Sequence, residues 1–481
     1  MAGIGFALRS LSRNNTLTSV AGAAGHAAVI AAGPWLFTIL SLAAITASSE
    51  PLAGYETLST FRAIIIYAFA TSLVLAAPVT IVATRLLADQ LWQRRADHVR
   101  PLLVAAMVLA VAVVALGVLA LVLIFSVPAK LAIALFATTS VVAMIWVAVA
   151  FCGAVRDYNG ITLTFSVGLV IAVAASTAAA LTGLGAAGMV WGFTSGLTIT
   201  LLGLAFRVLA TFPVAGGSVA GEFKALFGGF STYAYLAIGA LFGTAGVWAD
   251  KWVFWFSREG QSVDGGLIHA PLYDSAMFIA SLVIIPALAQ FVVKLETDFF
   301  DRYQNYYGTI QDHGTIDQIE RARDGLQRNS FETLALITVA HLAIAVVMVL
   351  AAPAIIESLN LQFRQIAILR YGALGSVFHF IFIAATSMVV FFDRRGLYGL
   401  LQILFFALNL GLTALTISWG EDYYGVGYFS AALISAAVAL LVAESTFAKL
   451  NYLTFIGNNP SIKGSRWTPA DWLRLVMRRA G

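Results

Sequence analysis

Residues 248–257 read WADKWVFWFS, close to the end of an apolar run that begins around Phe230. Asp250 and Lys251 are adjacent and opposite in charge, and Trp248, Trp252, Phe254, Trp255 and Phe256 surround them. A single Asp or Lys at the centre of a membrane helix costs roughly 2.5–3.5 kcal/mol, and less near the interface. Two arrangements offset that cost: a pair anchored at the membrane surface, or a pair facing a wet cavity inside the protein. Which of them holds depends on where the flanking helices place the pair.

The rest of the chain has the same character. Of its 481 residues, 60% are apolar and 11% charged, and the mean hydropathy is +0.89. A soluble domain carries about 25% charged residues, so the composition is that of a polytopic membrane protein. A spanning helix needs about 20 mostly apolar residues. Twelve runs qualify, at 25–48, 62–86, 102–126, 131–152, 161–182, 187–210, 230–256, 272–293, 331–352, 369–391, 396–418 and 425–447. No alternating pattern competes with them, so the spans are read as helices. With the N-terminus in the cytoplasm, 22 of the 28 Lys and Arg fall on inside segments and 6 outside, as the positive-inside rule requires. Both termini are then cytoplasmic, and Asp250 and Lys251 occupy the outer half of the seventh helix. The opening MAGIGFALRSLSRNN lacks the apolar core of a cleavable signal peptide.

Six helices precede the Gly- and Pro-containing segment 212–229, and six follow it. The expected architecture is all-α, with about twelve transmembrane helices in two six-helix lobes of flippase-like plan. Residues 1–24 are read as an N-terminal cytoplasmic amphipathic segment, 25–211 as the first lobe and 212–229 as an inter-lobe cytoplasmic linker. The second lobe covers 230–447, and 448–481 is a basic cytoplasmic tail with Trp467 and Trp472 at the interface. No sequence repeat relates the halves, but two lobes of equal helix count usually place the substrate path between them. The longest inside loop, 294–330, is read as two short amphipathic helices on the cytoplasmic face, the second opened by a capping box at Thr315 and Gln318. Asp298, Arg302, Tyr306, Tyr307, Arg321 and Arg323 in that loop are candidates for docking a cytosolic partner, beside the plainer reading of a solvated connector.

Several motifs are weighed against simpler readings. GLGAAG at 183–188 matches a dinucleotide fingerprint, yet no strand precedes it and no acidic residue follows at ribose distance. Gly188, Gly192 and Gly196 are better read as a face for close helix packing, as are Gly239, Gly243 and Gly246, which thin the wall ahead of Asp250. Pro34, Pro78 and Pro286 interrupt apolar runs; each permits a static bend or a broken helix lining a cavity. His26, His341 and His379 stand alone, without metal-ligand spacing, and read first as packing or interfacial groups. The single Cys152 excludes an intramolecular disulfide. No nucleotide loop or carboxylate pair stands out, so no cofactor, metal or nucleic-acid partner is expected, and the reading is non-enzymatic.

The chain resembles a known family at four places. MAGIGFALRSL at 1–11, AAGPWLFTIL at 31–40, DKWVFWFS at 250–257 and the long block APLYDSAMFIASLVIIPALAQFVVKLETDFFDRYQNYYGTI at 270–310 look like the Pel exopolysaccharide transporter (PelG-like) family. Ala7 departs from it, since many members carry an acidic residue there. The resemblance implies the fold of the multidrug/oligosaccharidyl-lipid/polysaccharide flippase superfamily. It also implies export of the Pel polysaccharide, an amino-sugar polymer, across the bacterial inner membrane. Implied partners are a cytosolic PelF-like glycosyltransferase and two membrane proteins, a PelD-like cyclic-di-GMP receptor and a PelE-like protein.

A hydrated sugar chain crosses some 30 Å of hydrocarbon only along a polar, aromatic-lined route. The candidates for that route are Asp250, Lys251, Trp248, Trp252, Trp255, Arg207, Arg370, Glu296 and His379. Snorkelling to the interface is the simpler account of Arg207 and Arg370. Two other functions keep the same fold: an ion-coupled small-molecule antiporter with Asp250 or Glu296 as its titrating acid, and a membrane scaffold for a glycosyltransferase. The pair at 250–251 is expected to face the space between the lobes.

Overall fold

The computed structural model describes residues 37, 39–155, 158–214, 216–263 and 265–457. Their order is α1 (Ile39–Ala53), α2 (Tyr55–Trp92), α3 (Val99–Phe125), α4 (Ala129–Cys152), α5 (Tyr158–Leu181), α6 (Gly185–Thr211), α7 (Val219–Thr232) and α8 (Ala234–Trp255). A two-residue hairpin follows, β1 (Gln261–Ser262) with β2 (Ile268–His269). Then come α9 (Pro271–Ser281), α10 (Ile284–Lys294), α11 (Phe300–Gln311), α12 (Ile316–Ser358), α13 (Gln365–Phe391), α14 (Arg395–Ile417) and α15 (Val426–Ala448). Among the described residues, ten helices are long and apolar enough to cross a membrane, or eleven when the bent pair α7–α8 counts as one. The first apolar run is described only from its later part, in α1. The segment 1–24 with Ala7, together with His26, Pro34, Trp467 and Trp472, lies outside the described residues.

Packing divides the helices into two groups. Helices α2 to α6 pack chiefly on one another, α8 to α15 do the same, and α2 against α8 forms the main seam between them. Helices α5 and α6 meet closely because of glycine. A Cβ on Gly196 would lie 2.4 Å from the Gly168 carbonyl oxygen, and one on Gly192 would lie 2.6 Å from the Ala175–Ser176 backbone. At Gly188 the atoms nearest an added Cβ belong to Leu184 of its own chain segment. Gly239, Gly243 and Gly246 face Tyr398, Gln402 and Phe405 of α14. They let α14 approach and do not thin a cavity wall.

One expectation is corrected and two are made specific. The inter-lobe segment is helical: α7 is capped by Ser218, whose hydroxyl accepts from Gly221 N–H, and it meets α8 at an 83° bend. Tyr233 at the bend donates to Asp89 Oδ2 of α2 at 2.8 Å, and Arg395 of α14 lies 4.7 Å over its ring. The bend is thus tied to both groups. The loop 294–330 is not a pair of short surface helices either. The chain from α10 runs through a π-helical turn (Leu295–Phe299) into α11, and α12 is one 43-residue helix opened by the Thr315–Gln318 capping box. An apolar stripe that includes Ile319 and Leu326 lets α12 pack on α11, so both spans extend into a hairpin with its tip at 312–315. Finally, the run 272–293 is broken at Leu282–Val283. Pro286 has no N–H to bond the Leu282 carbonyl one turn back, which removes the hydrogen bond that would bridge the break. At Pro78, by contrast, α2 continues unbroken.

Candidate functional site

Helix α8 carries Asp250 and Lys251 fully into the interior, at 0% and 5% exposure. The surface-anchor reading is therefore excluded. Lys251 Nζ donates to Asp250 Oδ1 and Oδ2 at 3.2 and 3.1 Å and to the Val247 carbonyl at 3.1 Å, which uses its three protons. Asp250 accepts further from Tyr273 Oη at 2.8 Å and Asn409 Nδ2 at 3.2 Å. A buried pair recovers its desolvation cost only when the remaining lone pairs are satisfied, and Tyr273 and Asn409 satisfy them. Tyr273 is held by stacking on Phe254 at 3.7 Å, and Asn409 by its bond to the Gly246 carbonyl at 2.8 Å.

Lys251 lies on a cavity wall and Asp250 behind it. A chamber of about 200 Å³ between the two helix groups is lined by Phe69 and Trp146 on one side and by Trp248, Lys251, His379 and Tyr428 on the other. At roughly 30 Å³ per water, it has room for about seven waters, close to one sugar ring. His379 Nδ1 is 3.0 Å from Tyr428 Oη, its ring stacks on Phe405, and Lys251 Nζ lies 6.0 Å from the Tyr428 ring centre. The broken helix contributes Ser281 before the break and Ile284 after it, so it lines the chamber. Phe69, Trp248 and Phe278 also border a second, wider space of about 680 Å³ that includes Glu50, Tyr55, Arg62 and Asn360. These three rings stand between chamber and mouth, as a neck or a gate.

The other proposed path residues scatter. Trp255 does not line the chamber. It stacks on Tyr67 of α2 at 4.7 Å and donates to both Asp274 oxygens at 3.1 and 2.9 Å, joining α8 to the opposite group. Trp252 is half-buried in the core. Arg370 is exposed and donates to the Val349 carbonyl. Arg207 is half-buried on α6 and borders neither chamber nor mouth. The side chain of Glu296 lies outside the described residues. His341 is buried against Ser376 in packing. Phe69, Phe278, Tyr273, Asn409, Asp274 and Tyr428 were missed. Asn409 and Asp274 carried a signal, as polar residues inside apolar runs; the aromatic residues carried none.

On the hairpin, Tyr306 is fully buried, donates to Asn451 Oδ1 at 2.9 Å and shares a second hydrogen bond with the Thr454 hydroxyl at 3.2 Å. It fastens the chain after α15 to the hairpin and is not free for docking. Tyr307 is half-buried beside it. Asp298 pairs with Lys294 at 2.8 Å and Arg323 with Asp324 at 2.8 Å. Arg302 and Arg321 are exposed, the latter bonded to the Asp317 carbonyl.

His269, in the loop between α8 and α9, is 5% exposed and sits 3.3 Å from Ser59 Oγ of α2. Burial, and then the charge of Arg62, pushes its pKa down to about 4. The unfolded chain protonates its histidines near 6.5. The neutral ring therefore contributes stability above pH 6.5 that is lost as pH falls toward 4, because the unfolded state takes the proton first. The thermal unfolding midpoint should fall across that window, and should fall less in His269→Gln.

The comparisons with known proteins agree with this geometry. Residues 1–455 match the family model "PelG: Putative exopolysaccharide Exporter (EPS-E)". No curated protein sequence matches significantly. Among solved structures, a MATE crystal structure in the straight conformation is similar with TM-score 0.61 and 16% identity, covering 89% of this chain and 96% of its own. An outward-facing multidrug resistance MATE transporter of the MOP superfamily gives TM-score 0.59 and 16% identity over 89% of this chain and 96% of that one. An inward-facing one gives TM-score 0.58 and 14% identity over 88% and 99%. At these identities the likeness shows the fold alone.

Proposed function

The chain belongs to the PelG family of exopolysaccharide exporters, and from that premise we propose that it conducts the Pel polysaccharide across the bacterial inner membrane, between its two helix groups. The observation that carries this reading is the pair of adjacent spaces, chamber and mouth, that share the rings of Phe69, Trp248 and Phe278 as a common wall, with Lys251 in the chamber wall. Binding sites of this kind pair mostly apolar walls with a few placed polar groups. Aromatic rings offer flat faces to the C–H faces of sugars, Ser281, Ser376, His379 and Tyr428 offer polar atoms to hydroxyls, and Lys251 places its charge in the wall. The protein performs no bond chemistry in this reading; polymer synthesis or an ion gradient supplies the energy. The hairpin of α11 and α12, with Arg302 and Arg321 outward, is the proposed contact for a cytosolic PelF-like glycosyltransferase, beside PelD-like and PelE-like membrane partners.

A plug tests the conduit. Ser281 is half-buried on the chamber wall, and Ser281→Trp would fill most of the space. Polysaccharide in the culture medium should fall at least tenfold, with membrane abundance and recovery of partner proteins unchanged. Undiminished secretion would leave a scaffold, not a conduit.

A further inference from the structure

The walls of the cavity are linear, and their length suits a chain better than a single small molecule. On α2, Arg62, Ile66, Phe69 and Leu73 all border the cavity. Their spacing of four, three and four residues puts them on one helix face, which runs roughly 16 Å at 1.5 Å per residue. Across from it, Ser275, Phe278, Ser281, Ile284 and Leu288 border the same space from α9 and α10. The break at Leu282–Val283 falls within this second stripe, so the wall continues through it.

The two ends of the stripes differ in chemistry. The chamber end holds Lys251, already paired with Asp250. The mouth end holds Arg62, whose Nε donates to the Leu58 carbonyl at 3.3 Å. Its other guanidinium nitrogens show no hydrogen bond among the described residues. The mouth also has Asn360 in its lining, while nearby Gln365 is fixed by bonds to Leu272 O at 2.9 Å and Ser275 Oγ at 2.6 Å. Glu50 and Tyr55 share the mouth with Arg62 and Asn360, so a guanidinium, an amide, a phenol and a carboxylate together offer donors and acceptors to sugar hydroxyls and ring oxygens.

The geometry points to a second saccharide subsite at Arg62, in the mouth, which grips a polymer at the same time as the chamber does. This rests on the conduit reading and adds to it that the ligand is a linear polysaccharide of about three or more units. Two sites on one ligand act together, because the second contact forms at high effective concentration.

The experiment uses the full-length protein in lipid nanodiscs. Its probe is a size-fractionated ladder of oligosaccharides made by partial hydrolysis of the polymer that the cells export. Affinity should rise at least tenfold from monosaccharide to tetrasaccharide. Arg62→Gln should abolish that rise while leaving mono- and disaccharide binding and the thermal unfolding midpoint unchanged. Equal affinity for short and long fragments in the unmodified protein overturns the second subsite whatever the variant does. A length-dependent rise that survives in folded Arg62→Gln overturns the role of Arg62. In both cases the conduit stands. Failure of every fragment to bind overturns both readings.

Discussion

Asp250→Asn is expected to lower the stability of the folded protein by about 3–5 kcal/mol, the usual cost of stripping one partner from a buried ion pair. Lys251, at 5% exposure, would keep only the Val247 carbonyl as a full acceptor beside a neutral amide. Tyr273 and Asn409 would lose the carboxylate that both now bond. The purified variant should unfold at a clearly lower temperature in detergent, and its membrane level should drop. Replacing the pair together, as Asp250→Asn with Lys251→Met, removes the stranded charge and should recover most of that stability, because apolar replacement of a buried pair is often neutral. Export should not recover with it, since the chamber would have lost the ammonium in its wall. An unchanged unfolding midpoint in Asp250→Asn would show that the pair is not the closed unit described above. Full secretion from the double variant would remove Lys251 from the path.

Trp248 and Trp255 lie seven residues apart, on one face of α8, and their replacement by Ala should divide differently between stability and export. Trp255 is 2% exposed, stacks on Tyr67 and bonds Asp274. Trp255→Ala opens a core cavity and takes two donor contacts from a buried carboxylate, so about 3–5 kcal/mol should be lost, seen as low membrane abundance and early unfolding. Trp248 borders both chamber and mouth and meets Phe278 edge-on at 6.2 Å. Its indole nitrogen has no hydrogen-bond partner to lose, and its removal widens a space that already exists. Trp248 is nonetheless 7% exposed and packed in the core, so Trp248→Ala should also lower the unfolding midpoint, by less than Trp255→Ala because no hydrogen bond goes with it, while export falls tenfold or more, equivalent to about 1.4 kcal/mol. Trp248→Phe keeps a ring at the neck and should retain most of the export. If Trp248→Ala secretes normally, the neck does not contact the cargo.

The same two tryptophans show where sequence reading stops. WADKWVFWFS announces aromatic residues around a charge pair, but every third or fourth residue of an apolar helix has a neighbour, and the residue type does not say which neighbour is a helix and which is a void. Trp248 and Trp255 share a helix face at different heights: one meets the space between the groups, the other the Tyr67 ring of α2. Arg370 and Arg207 were drawn toward the path by charge alone, and the structure turns Arg370 to the surface. Arg62, by contrast, borders the mouth. Tyr306 was read as available to a partner and is spent on Asn451 and Thr454.

What the sequence by itself determined is set by the solvent. A chain with 60% apolar residues must satisfy its backbone within each spanning segment, so helices, their approximate limits and the membrane class follow from composition and run length. Local chemistry was legible for the same reason: the Thr315–Gln318 cap and the break ahead of Pro286 depend on neighbours within one turn. The site was decided by tertiary structure. The four groups that meet at Asp250 and Lys251 come from helices separated by up to about 160 residues, with Asn409 bonded to Asp250 across 159 positions. In an apolar chain no charge pattern marks such meetings in advance. Only packing shows which polar residue faces another and which faces a cavity.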